Sequence, residues 1–129
     1  MLRSFHDGNL IAYAVDCETR QIRLSIRSEG DKTPQSVIFK GVEGYHFEHD
    51  AFGNIIYALK EVPIQEVLTD YAIQITEAYR LSGSPGPWAA DLDSAGQVLF
   101  EKGMQGFELS SSYGLSGWII ASEVLVLPA

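Results

Sequence analysis

The densest group of chemically capable side chains in this sequence is Gly44-Tyr45-His46-Phe47-Glu48-His49-Asp50. It holds two of the three histidines and two carboxylates within seven residues. Zinc takes imidazole and carboxylate ligands, three or four converging on one ion. With His6 and Asp7 added, the chain has enough donors for such a site. The spacing works against a purely local one. On a strand His46, Glu48 and Asp50 point one way, and Tyr45, Phe47 and His49 the other. His46 and His49 would share an ion only on a helix, and a stretch lying between Gly44 and Gly53 is a poor helix. The metal reading therefore narrows to His6 folding against His46 or His49, with Glu48 alongside. The competing reading is a half-buried strand ending in a turn through Ala51-Phe52-Gly53, with no metal and no cofactor.

Other constellations carry less. In Gly114-Leu115-Ser116-Gly117-Trp118 the glycine spacing of a nucleophile elbow is not met, so its glycines read as turn residues. Gly83-Ser84-Pro85-Gly86-Pro87 has neither the lysine nor the length of a phosphate loop, and no dinucleotide fingerprint is present. Asp91 and Asp93 read as solvated acids. Cys17 is the only cysteine, which excludes an internal disulfide and a cysteine-based zinc site. Its neighbours Asp16 and Glu18 disfavour the thiolate. No residue is assigned a catalytic role, and no enzymatic activity is expected.

At 129 residues the chain fits a single domain, residues 1–129, long enough to close a hydrophobic core without staples. Nine basic against seventeen acidic residues leave a net charge of −8. Such a surface repels phosphate backbones and argues against nucleic-acid binding, whereas a basic protein partner would be steered towards it. No apolar run has the length of a signal-peptide core or of a membrane span, so a soluble, cytoplasmic protein is expected.

The elements that must carry these residues change period midway. Leu10–Asp16 and Gln21–Arg27 read as two strands of a hairpin joined by Cys17-Glu18-Thr19-Arg20, the second alternating strictly. A loop over Ser28–Pro34 precedes a third strand, Gln35–Phe47, bent at Gly41 or Gly44. Asn54–Val62 is the fourth in meander order. From Ile64 the apolar positions Val67, Leu68, Tyr71, Ile75, Ala78 and Tyr79 take helical spacing. Pro63 suits the first helical position, Arg80 the last turn and Gly83 the stop, which gives one long amphipathic helix. Over Ala89–Gly103 the steps of Leu92, Ala95, Leu99 and Lys102 favour a second helix over a strand pair turning at Glu101–Gly103. Two strands follow, and the last is apolar on both faces, hence central or covered on both sides. The fold class expected is α+β: a curved antiparallel sheet of about six strands, with one or two helices against it, the first of them long. Most aromatics at strand ends read as core plugs. Trp88, in its Gly/Pro loop, has the least structural reason to be there and is the candidate recognition group.

Three separated pieces carry a resemblance: Phe5-His6-Asp7-Gly8-Asn9-Leu10, Phe52-Gly53-Asn54 with the strand after it, and the segment 107–127 containing Ser112-Tyr113-Gly114. Together they resemble a loose group of small bacterial proteins, some of them similar to immunity proteins that neutralise bacterial toxins. The resemblance implies no enzymatic activity. It marks His6, Asp7, Asn54, Tyr113 and Gly114 as candidate binding residues. Asp7 before Gly8 and Asn54 after Gly53 are equally ordinary turn chemistry. Three functions follow as expectations. The first is a protein that occludes a basic partner with its acidic face, and the second a small metal- or ligand-binding domain using His6. The third is a homo-oligomer built by pairing an exposed strand edge.

Overall fold

A computed structural model describes residues 2–128 of the chain. Eight strands and three α-helices run in the order β1 (Asn9–Asp16), β2 (Gln21–Arg27), β3 (Gln35–Lys40), β4 (Gly44–Glu48), β5 (Asn54–Val62), α1 (Ile64–Asp70), α2 (Ala72–Ser82), α3 (Leu92–Glu101), β6 (Gln105–Tyr113), β7 (Ser116–Ala121) and β8 (Glu123–Leu127). The class is α+β with an antiparallel sheet, in the order β4-β7-β6-β5-β1-β2-β3-β8.

Six expected strands become eight because two of them bend sharply and pair separately on each side of the bend. β3 continues into β4 and β7 into β8, and these two bent strands run beside each other throughout: β3 pairs with β8, β4 with β7. At the corner the ladder is carried by Ser122 N donating to Lys40 O (3.0 Å) and Glu43 N donating to Ile120 O (2.8 Å). Gly41 makes the corner possible. Its φ is +62°, and a Cβ there would run into the Ser122 side chain.

The consequence is a sheet coiled until its ends approach each other, a barrel-like ring. The meander stops at β3: β5 pairs with β1 and β6 instead of with β4. The chain before β1 extends that pairing, with Asp7 N donating to Ile56 O (2.9 Å) and Leu59 N to Ser4 O (2.8 Å). Inside the ring one core draws on every strand, including Leu10, Ile22, Leu24, Phe39, Ile56, Phe107, Leu109 and Ile119, with Phe47 and Val126 packed against it. Burying each such side chain contributes about 1.5–3 kcal/mol against the entropy of ordering it.

The helices cover the outside of β6 and β7 and form a second core around Val67, Leu68, Ile75, Ala95, Leu99, Trp118 and Ile120. From Gly117 to Ala121, β7 is buried on both faces, as its composition predicts, while β8 is an edge strand with half-buried residues. The single long helix expected after Ile64 is two. Tyr71 leaves helical angles (φ −113°, ψ 20°), its ring packs on Trp118 and its hydroxyl donates to Glu108, which anchors a kink at that residue. Pro63 stands one place before the first helical residue, and the helical path ends at left-handed Gly83. Leu92–Glu101 is the second expected helix, capped by Asp91 accepting from Asp93 N at 3.0 Å. Among the described residues no helix is long and apolar enough to cross a membrane.

Candidate functional site

Asn54, the first residue of β5, is buried and sits at the centre of a hydrogen-bond hub. Its side-chain oxygen accepts from Leu115 N (2.8 Å) and Ala51 N (3.1 Å), and its amide donates to Asp50 (3.1 Å). Gly114 closes over this hub. Its φ is +100°, and a Cβ there would coincide with the Asn54 side-chain oxygen. Tyr113 lies opposite Ile55 in the β5–β6 ladder, and Leu10 opposite Asn54 in the β1–β5 ladder. The three separated sequence pieces thus become neighbours at one end of the ring. What joins Asn54 to Gly114 is backbone fixation. Tyr113 is exposed beside it, and His6 and Asp7 are exposed in a turn closed by Gly8 N donating to Phe5 O (2.8 Å).

The histidines divide differently from the strand pattern. His46 and Glu48 do share a face, with His46 Nε2 3.6 Å from Glu48 Oε2. Regular alternation ends there, because β4 stops at Glu48 and His49 adopts a left-handed φ of +65°. His49 Nε2 consequently lies 3.9 Å from the same Glu48 oxygen, where the alternation had put it on the opposite face. Asp50 also leaves the face of Glu48. It accepts from the Tyr13 hydroxyl at 2.7 Å, and the Tyr13 ring stands edge-on to Phe47, 5.9 Å between centroids. That hydrogen bond, joined by the one from Asn54, holds the Asp50 carboxyl below its ordinary range. The same bond raises the Tyr13 phenol, with burial adding to it.

His6 pairs with Asp7 (3.2 Å) and meets the Tyr57 ring, 5.4 Å between centroids; its described contacts include neither His46, Glu48 nor His49. Among the described residues, the group that does bring one ligand atom each within 4.8 Å of the others is Glu66, Asp70 and Glu108. Sequence spacing shows Glu66 and Asp70 on one helix face but gives no sign of Glu108, which arrives from β6. Tyr71 donates to Glu108 at 3.4 Å, and burial, followed by the charge of Glu108, pushes its phenol up to about 12.

Trp88 is a core plug. It is 8% exposed and packs in the helix-side core, and a Cβ on Gly44 would press on Pro85 and Trp88. The loop buries it because Pro87–Ala90 coils into a short 3-10 turn that rolls the indole inward. The exposed aromatics among the described residues are instead Tyr13, Tyr45, Phe52, Tyr57 and Tyr113, with Phe100 standing apart on α3. Tyr45 packs on Phe47 at 5.3 Å between centroids, which makes Tyr13, Phe47 and Tyr45 one continuous aromatic surface.

That surface floors a cleft of about 640 Å³ between β1 and β4, with Val15, His46 and Pro85 also on its walls. Tyr13 and Val15 lie opposite Leu24 and Ile22, on the inward face of the sheet. They stay accessible because, among the described residues, β1 pairs with β5 only through Asn9 and Leu10, while β4 pairs only with β7. The ring wall is open here. No family model, curated protein or solved structure matches this chain.

Proposed function

We propose that this chain is a non-enzymatic, cytoplasmic binding protein that neutralises a basic protein partner by covering it, in the manner of immunity proteins of bacterial toxin systems. The observation that carries this reading is the aromatic surface of Tyr13, Tyr45 and Phe47, with Phe52 fully exposed on the adjoining turn. Large aromatics kept at a surface beside acids are the anchors of protein interfaces, where they bury much area at little entropic cost. The acids are Glu48 and Asp50, and among the described residues neither lies within 4.0 Å of a lysine or arginine. A net charge of −8 adds long-range attraction for a basic surface. His6, Asp7 and Tyr113 belong to the same end of the ring, and Asn54 and Gly114 hold its backbone in shape.

Co-expression with a toxin encoded beside this chain tests the reading. Restored growth, together with co-purification of the two proteins, is expected. Growth arrest unchanged by the chain, with no complex after purification, would contradict it.

A further inference from the structure

Among the described residues no strand lies along the outer edge of β1 from Ile11 to Asp16, and none lies along the free edge of β4. An unpaired edge presents alternate N–H and C=O groups, a template for a further strand. Six residues of edge accommodate roughly 20 Å of extended chain. Side chains on the two faces of such a strand would meet different surroundings. Inward ones would cover Tyr13, Val15 and Phe47, which already pack towards the ring core. Outward ones would stand level with Ala12, Ala14 and Asp16, whose partners across the ladder are Ser25, Arg23 and Gln21. Arg23 is engaged with Ser36, and Glu48 and Asp50 close the far end.

We infer that the gap between β1 and β4 receives an extended segment of a basic partner, with apolar side chains inward and lysine or arginine outward, added to β1 as a further strand of the ring. This deepens the binding reading above and rests on it. Charge selects the occupant: a second copy of this chain would bring another −8 against Asp16, Glu48 and Asp50, whereas a lysine-bearing strand neutralises them.

The test is backbone-amide NMR of the isotopically labelled chain, titrated with an eight-residue peptide of alternating lysine and valine. Two controls run beside it: the same peptide with glutamate for lysine, and the lysine peptide N-methylated through its central four residues. Saturable shifts confined to residues 11–16 and 44–50 are expected. They should vanish with the glutamate peptide and weaken by about tenfold or more with the methylated one, which cannot pair as a strand. The exposed-site variants Glu48→Lys and Tyr45→Ala, checked for unchanged melting, should weaken binding to a similar degree. Shifts mapping elsewhere, equal binding of either control peptide, or no shift at millimolar peptide would overturn the inference. If the chain nonetheless neutralises and co-purifies with a toxin, the binding function stands and only the placement falls. If the peptide docks as expected while no toxin is neutralised, the placement stands and the function falls.

Discussion

Asn54 and Gly114 are constrained by each other, and the constraint is measurable. Asn54→Ala strands the buried Leu115 N–H and removes a donor from Asp50, a loss of about 2–3 kcal/mol. Gly114→Ala adds a left-handed alanine that collides with Asn54, at a cost of about 2 kcal/mol or more. Urea midpoints should fall in both variants with the slope unchanged, and the double mutant should cost less than the sum because the collision partner is gone. Tyr71 supplies a pH test. Its folded phenol lies at about 12, above the ordinary value of about 10, so it stabilises the fold below that ordinary value and ceases to do so as pH rises towards 12. Ultraviolet titration should show one phenol ionising last, and Tyr71→Phe should remove that step. Zinc should leave the melting temperature unchanged, since His6 is engaged with Asp7 and Tyr57. A rise with zinc that His46→Ala abolishes would restore the metal reading.

At the scale of elements, Trp88 separates a plug from a recognition group. Trp88→Ala should cost about 3–5 kcal/mol of stability by opening the helix-side core. Stability unchanged but binding lost would reverse that assignment. The strands and helices themselves were largely legible: the alternation in Gln21–Arg27 and the helical spacing from Ile64 both report local burial, which is what sequence period encodes. Pairing between distant segments is not encoded that way. Nothing near Gln35 says that β3 will find β8 while β4 finds β7, and the positive φ of Gly41 is visible only once Ser122 stands against it. The candidate site shows the same limit. Alternation grouped His46 with Glu48 correctly but misplaced His49 and Asp50, because a single left-handed residue ended the strand. Trp88 misled because a Gly/Pro loop reads as exposed, whereas this one coils back over β4.

For the whole molecule, the ring is closed by two bent strands along one seam and left open along another, and the opening is aromatic within and acidic at its rim. Association with a basic partner should therefore be fast at low salt and slow several-fold between about 50 and 300 mM, as screening shortens the reach of the acidic surface. The most direct test is amide hydrogen exchange of the chain alone and in complex with a basic toxin that it neutralises. Protection of residues 11–16 and 44–50 on complex formation is the predicted result. Protection confined to the helices, with those edges exchanging as fast as in the free chain, would contradict the account.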